Sequence, residues 1–196
     1  ESYMKFSLYS DEDLDRFSRG VHYDIFEKMG AHLATVEGID GVYFSVWAPE
    51  ALRISVVGDF NFWDGRVHQM SKIKDSGIWE IFIPGVGQLD NYKYEIKTIK
   101  GEPMLKADPY GYFCELRPNT ASLVYNINNY VWDDEDWMLD RDLKQSDGKN
   151  YDGCPINIYE LHLGSWIRKE RQFDDNGDEI AGSEFYNYKE IAVKLA

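Results

Sequence analysis

The chain has 196 residues, of which 43% are hydrophobic and 15% aromatic, enough apolar side chains for a folded core. Its formal net charge of −14 disfavours binding to nucleic acid and to anionic membrane surfaces. Cys114 and Cys154 form no CxxC pair, so reduced thiols in the cytoplasm are expected, without a zinc site or a disulfide framework. No apolar stretch is long enough to predict a signal peptide or a membrane span.

The first predicted elements are helices. Ser10 and Asp13 fit the capping pattern that begins a helix, and Gly20 suits the position that follows its last turn. A second helix is expected over residues 21–29, with its apolar side chains on one face. We therefore expect residues 1–35 to form a helical N-terminal segment.

From Gly41 onward the hydrophobic period changes to two, which is typical of strands. Turn residues such as Gly and Pro separate the alternating runs, and we predict half-buried antiparallel strands. The fold expected for residues 36–127 is an immunoglobulin-like antiparallel β-sandwich. Its clearest strands lie at residues 42–47, 54–57, 79–83 and 92–97.

The remainder of the chain changes character twice. Residues 128–152 are polar and acidic, and an ordered linker is predicted there. Residues 156–163 then alternate as a strand does, and residues 188–196 repeat at helical spacing. Because one strand and one helix have no partners against which to bury their apolar faces, residues 153–196 are interpreted as the incomplete start of a second domain.

One turn carries much aromatic surface. The stretch VGDFNFWDG, residues 57–65, combines two Phe and Trp63 with Asp, Asn and Gly. A partly exposed Trp63 would offer a flat apolar face to the C–H groups of a sugar ring, and its polar neighbours would bond the hydroxyls. Alternatively Trp63 plugs the end of the sandwich, and the pattern alone favours this plug because large aromatic side chains are usually mostly buried.

Two other candidate motifs are interpreted structurally. The run Asp-Asp-Asn-Gly-Asp at residues 174–178 resembles part of a calcium loop, but both ends of that loop lack their ligands, so a turn is predicted. His162 in the predicted strand is expected to be a hydrogen-bonded core residue and not a catalytic one. No catalytic residue, metal ligand or cofactor is predicted for this chain.

Seven motifs stand in order along the chain, HYDIFEKMGAH (22–32), GVYFSVWAP (41–49), VGDFNFWD (57–64), YKYE (92–95), KADPY (106–110), RPNTAS (117–122) and IYELHLGSW (158–166). Together they resemble the N-terminal part of 1,4-α-glucan branching enzymes, members of glycoside hydrolase family 13 that introduce α-1,6 branches into glycogen or starch. The resemblance implies that the sandwich is a carbohydrate-binding module of family 48. It also implies that a (β/α)₈ barrel begins after the linker, with its first strand at residues 158–162 and its first helix at residues 188–196.

The same resemblance implies site residues and partners. Trp63 is expected to stack on glucose, and Lys93 and Asn126 are expected to bond sugar hydroxyls. The expected partners are α-1,4-glucans, namely glycogen, starch and malto-oligosaccharides, together with the rest of the protein's own barrel. Nucleic acid and membrane are not expected as partners.

The resemblance further implies that the parent protein transfers glucan chains by a retaining mechanism. The catalytic carboxylates of such enzymes have no matching positions here, so this chain alone is expected to be inactive. The alternatives are a non-catalytic glycogen-binding module, or the N-terminal part of a debranching enzyme or trehalohydrolase.

Overall fold

The chain divides into two compact units, Glu1–Val131 and Trp132–Ala196. The computed structural model describes residues 6–99, 101–146, 155 and 157–195. Within those ranges every strand belongs to the first unit, whereas the second unit contains helices and loops. Cys154 and Ile156, both used in the sequence predictions, lie outside the described residues.

The first unit contains two sheets in which all pairings are antiparallel. One sheet has the order β1-β2-β5-β4, formed by Gly30–Val36, Ile39–Trp47, Ile78–Pro84 and Ser71–Lys72. The other has the order β3-β6-β9-β8, formed by Ala51–Val57, Asn91–Thr98, Ser122–Leu123 and Phe113–Cys114, and β7, Met104–Lys106, also pairs with β6. The strands predicted from alternation are therefore confirmed.

The two sheets pack face to face around one apolar core. Side chains alternate across each strand, so β2 contributes Phe44 and β6 contributes Tyr92 and Tyr94, all fully buried. The rings of Phe44 and Tyr92 meet edge to face with their centroids 5.0 Å apart. The mainly β, antiparallel sandwich predicted from the sequence is confirmed.

Strand β2 is buried on both faces, so the prediction that it is half-buried is wrong. Tyr43 and Ser45 face away from the central core and are nevertheless 0% exposed. The N-terminal segment covers this face, since Phe6 packs edge to face on Tyr43 at 5.8 Å and the hydroxyl of Tyr9 lies 2.9 Å from Ser45 Oγ. Alternation reveals which side of a strand is apolar, but not which distant segment covers the other side.

The predicted first helix is confirmed as α1, Asp11–Ser18. Its capping box is complete, because Ser10 Oγ accepts a hydrogen bond from the Asp13 amide at 3.2 Å and the Asp13 carboxylate accepts one from the Ser10 amide at 2.8 Å. These contacts satisfy N–H groups that have no partner within the helix itself.

The prediction of a second helix over residues 21–29 is wrong. Only a 3₁₀ turn forms there, at Ile25–Glu27, between glycines 20 and 30 that both adopt positive φ. A helix this short is marginal in water unless packing supports it. Strand β1 already begins at Gly30, so the segment expected to be helical ends as an edge strand of the sandwich.

The second unit contains α2, Glu135–Ser146, α3, Leu163–Trp166, and α4, Tyr188–Leu195. Helix α4 confirms the helix predicted near the end of the chain, whereas α2 lies in the segment predicted to be a linker. The strand predicted over residues 158–162 is not formed, because a strand needs a hydrogen-bonded neighbour and no described residue of this unit supplies one. The domain boundaries and the barrel's first β/α unit remain predictions.

Candidate functional site

The loop between β3 and β4 lies flat on the outer face of the second sheet. The hydroxyl of Ser55 donates to the carbonyl of Gly65 at 2.6 Å. A Cβ at Gly65 would lie 2.2 Å from Oε1 of Glu95, so a side chain there would displace the Glu95 carboxylate. Glycine at this position therefore allows the close approach of the loop to β6.

A buried asparagine braces the start of the loop. The Asn61 side chain accepts from the Gly58 amide at 3.0 Å and donates to the Val56 carbonyl at 2.8 Å. Its amide nitrogen also lies 2.9 Å from Nδ1 of His68, across the loop. Because its side chain is 5% exposed and used by the fold, Asn61 is not one of the polar neighbours of Trp63 that could bond sugar hydroxyls.

Trp63 is half-buried and stands beside this brace. Its Nε1 donates to Oδ1 of Asp59 at 2.7 Å, and its backbone amide donates to the Gly58 carbonyl at 2.9 Å. The aromatic residue of the loop that packs against the sandwich core is Phe60. The plug predicted for Trp63 is thus provided by Phe60.

Asp59 connects the indole to the sheet. Its backbone amide donates to Oδ1 of Asn91 at 3.0 Å, and Nδ2 of Asn91 donates to Oδ2 of Asp59 at 2.8 Å. Since Oδ1 of the same carboxylate accepts from Trp63, both oxygens are occupied. The sheet, Asp59 and the indole therefore form one connected hydrogen-bond network that fixes the Trp63 ring.

Lys93 belongs to the same face of the second sheet. On β6 it lies between Asn91 and Glu95 in the row of side chains that alternates with the buried tyrosines, and it pairs with Val57 at the end of β3. Its Nζ donates to Oγ1 of Thr120 at 2.7 Å. Along this row, Asn91 bonds to Asp59, Lys93 carries the ammonium, and Glu95 lies against Gly65.

Asn126 has a different environment. Its Oδ1 accepts from the Asn128 amide at 2.9 Å, and its Nδ2 donates to Oδ1 of Asn129 at 3.0 Å, which caps the 3₁₀ turn Ile127–Asn129. It lines a cavity of about 490 Å³ whose other walls include Phe26, His32 and Tyr112. The structure brings Trp63 and Lys93 to one face, and the network that holds Trp63 does not include Asn126.

The charged side chains next to Trp63 form an exposed ion pair. Asp64 accepts from Arg66 at 2.7 Å, and this side-chain hydrogen bond is the main reason why the pKa of Asp64 falls to about 2. The carboxylate is therefore ionised at neutral pH and already paired. An ionised and paired carboxylate suits the polar rim of an aromatic binding surface. It does not suit a general acid, which must carry a proton.

Another carboxylate with a shifted pKa lies inside the fold. Burial raises the pKa of Asp108, although hydrogen bonds from the hydroxyls of Tyr92 and Tyr94 at 2.7 and 2.9 Å oppose the rise. The other oxygen accepts from the Tyr110 amide at 2.8 Å. All of these contacts connect strands to a loop, so Asp108 is a structural carboxylate.

Two motifs of the second unit have structural roles. The Asp174 carboxylate accepts from the amides of Asn176 and Asp178, both at 2.9 Å, which confirms the predicted turn. His162 bonds Ser165 Oγ at 2.9 Å but is exposed, so its prediction as a core residue is wrong. Across the described ranges, no group of three or more His, Cys, Asp or Glu is placed to hold a metal ion.

The roles of Trp63 and Lys93 stay predictions, and the sequence did not predict the residues that position their side chains. Asn91, Asp59 and Thr120 hold the two side chains through the contacts given above. Asn91 lies one residue before the strand predicted at 92–97 and two positions before Lys93, so extending the alternation by one residue could have identified it. Thr120 could not be found this way, because its contact with Lys93 joins residues far apart in sequence.

A β-sandwich with an aromatic side chain held on one outer face is an arrangement found in the class of carbohydrate-binding modules. The family described as carbohydrate-binding module 48 (isoamylase N-terminal domain) matches residues 28–111. These residues are therefore similar to that family over most of the sandwich. Within the described part of the chain, no helix combines the length and apolar character needed to cross a membrane.

The whole chain corresponds to the N-terminal part of 1,4-α-glucan branching enzymes. It is 46% identical over 198 residues to the 1,4-alpha-glucan branching enzyme GlgB of Thermosynechococcus vestitus, covering 95% of this chain and 25% of that protein. With the enzyme of the same name from Protochlamydia amoebophila the identity is 44% over 195 residues, covering 100% of this chain and 25% of that protein. The chain thus spans about a quarter of the length of these relatives.

A solved structure of apo pullulanase from Klebsiella pneumoniae is also similar. It is 25% identical, with a TM-score of 0.43, and the match covers 52% of this chain and 11% of that chain. A structural similarity of this size carries no argument about function.

Proposed function

We propose that this chain is the N-terminal part of a 1,4-α-glucan branching enzyme, and that its sandwich binds α-1,4-glucan across Trp63 and Lys93. The observation that carries the proposal is the state of Trp63. The ring is half-buried, its N–H is satisfied by Asp59, and Phe60 fills the adjoining core. Since the fold does not bury the whole ring, part of it is available to a ligand.

The chemistry of this face suits a neutral sugar. The indole offers an apolar surface to the C–H groups of a glucose ring, and the Lys93 ammonium and Thr120 hydroxyl, 2.7 Å apart, supply hydrogen bonds for its hydroxyls. A neutral glucan is also unaffected by the net charge of −14, which repels polyanions. Fixing the ring through Asp59 and Asn91 reduces the entropy lost when the ligand binds.

Asn126 remains part of the proposal as a separate contact. Its amide already bonds to the backbone of Asn128 and the side chain of Asn129. A glucan hydroxyl would therefore use a remaining lone pair or hydrogen of that amide at the rim of the cavity it lines.

In the proposed parent, the reaction is a retaining glucan-chain transfer. A carboxylate forms a covalent glucosyl intermediate, and a second carboxyl group first protonates the departing oxygen and then activates the 6-hydroxyl of an acceptor chain. The residues of this chain take no part in those steps. Their proposed role is to hold the glucan for the barrel. The cytoplasm is the proposed compartment, in keeping with the free thiol of Cys114.

The test is calorimetric titration of the chain with maltoheptaose. Wild type is expected to bind, and Trp63→Ala is expected to weaken binding about tenfold, because the stacking surface is lost. The matched control is Tyr23→Ala, which removes another aromatic ring of the same unit that is 79% exposed. This control is expected to bind as wild type does. A folded wild type that takes up no maltoheptaose would refute the proposed binding function.

A further inference from the structure

Phe62 is the most exposed aromatic side chain of the loop, with 93% of its surface accessible. It lies directly before Trp63 and ends the 3₁₀ turn Asp59–Asn61. Its φ is +55° and that of Trp63 is +60°, so two bulky residues in succession occupy the left-handed region that favours glycine. The ring at position 62 therefore contributes almost nothing to the packing of the fold, and its backbone conformation is unfavourable.

The surrounding hydrogen bonds hold this unfavourable backbone in place. The amide of Phe62 donates to the Asp59 carbonyl at 3.2 Å, and the amide of Asp64 donates to the Asn61 carbonyl at 3.1 Å. Asn61, buried below the turn, adds its contacts to Gly58 and Val56. Strained residues that are held this firmly occur most often at binding and catalytic sites.

We infer that Phe62 is a second aromatic contact for the glucan, extending the Trp63 site so that it takes a chain of several glucose units. This inference rests on the proposed function of the Trp63 face. Phe62 and Trp63 are adjacent in one turn, and an α-1,4-glucan repeats the same apolar C–H surface in each unit, so a glucan chain on Trp63 has a further unit to place on Phe62. Phe62 has no polar atom on its ring, so it provides contact area without a hydrogen bond.

The experiment compares Trp63→Ala and four further variants of the full chain with wild type, by calorimetric titration with maltotriose and with maltoheptaose. Phe62→Ala and Phe62→Gly both remove the ring, but only glycine removes the backbone strain as well. Both are expected to weaken maltoheptaose binding roughly three- to tenfold, with a smaller loss for maltotriose. Phe62→Trp is expected to bind at least as tightly as wild type. Tyr23→Ala serves again as the exposed aromatic control.

The outcomes separate this inference from the proposed function. If Trp63→Ala loses binding while Phe62→Ala and Phe62→Gly bind as wild type does, the inference is wrong and the proposed function stands. A loss in only one of the two Phe62 variants would assign the effect to the backbone and overturn the inference. Equal losses for the short and the long sugar would overturn the claim that Phe62 extends the site. Failure of wild type to bind either sugar overturns both.

Discussion

Two glycines determine how the loop that carries Trp63 touches the second sheet. A Cβ at Gly58 would lie 2.1 Å from the carbonyl oxygen of Asn91, and one at Gly65 would lie 2.2 Å from the Glu95 carboxylate. Backbone and side chain of β6 therefore approach the loop at both ends. The tight turn that contains Phe62 and Trp63 lies between these two contacts.

The strain at Phe62 predicts an unusual stabilising substitution. Phe62→Gly is expected to raise the free energy of unfolding by about 1 kcal/mol, because glycine adopts positive φ without a steric penalty. Little packing is lost, since the Phe62 ring is 93% exposed. The measurement is equilibrium unfolding in urea at neutral pH.

Phe62→Ala is the matched control for this prediction. Alanine removes the ring but keeps a Cβ at φ +55°, so its stability is expected to stay within about 0.5 kcal/mol of wild type. If the alanine and glycine variants were equally stable, the backbone at position 62 would carry no strain.

At the scale of the elements, helix α1 depends on contacts outside itself. It has only eight residues, fewer than a helix needs to persist alone in water. Asp13 in its first turn is buried, and its carboxylate contacts Ser10, His22 at 2.9 Å and the ammonium of Lys28. One side chain thus caps the helix and ties it to the segment before β1.

These contacts predict how stability depends on pH. Burial disfavours the charge of Asp13, but the hydrogen bonds from Lys28, Ser10 and His22 prevail and hold its pKa well below the usual range. A lowered pKa in the folded state means that the stabilisation is present above about pH 4 and is lost as the pH falls further. Asp13→Asn is expected to lower the free energy of unfolding by about 2 kcal/mol at pH 7, and by less at pH 2.

The measurement is urea unfolding of wild type and variant across the acid range. The quantity to compare is the difference in free energy of unfolding between wild type and variant at each pH. Glu80 and Asp108 have raised pKa values, so their contributions to stability change with pH in the opposite direction. Asp11→Asn is the control, since Asp11 lies in the same first turn but is exposed, and its carboxylate pairs with the exposed Lys74. A pH-independent difference between wild type and Asp13→Asn would contradict the assigned role.

At the scale of the whole molecule, the chain is a quarter of the length of its relatives, and the proposed activity belongs to the whole protein. The full-length product of the gene is expected to add α-1,6 branches to amylose, while this chain alone is expected to add none. Branch-linkage analysis of amylose after incubation with each protein checks both expectations. Branching by the isolated chain would contradict the absence of catalytic carboxylates here, and hydrolysis of α-1,6 linkages by the full protein would favour a debranching enzyme.

Much of the sandwich could be predicted from the sequence because its strands are regular. Alternation located β2, β3, β5 and β6, and the Ser10 pattern located the start of α1. The motif around Trp63 and the YKYE strand also identified the two side chains that share one face. These signals are local, because each lies within the residues of the element that it predicts.

Other features were decided only by the tertiary structure, because they depend on contacts between residues far apart in sequence. The pattern could not show that Phe60 fills the core in place of Trp63, or that the N-terminal segment covers Tyr43. Nor could it show the edge strand at Gly30–Val36, which gains its hydrogen bonds from β2. Hydrophobic periodicity determined which faces are apolar, and packing determined what covers them and which aromatic rings remain exposed.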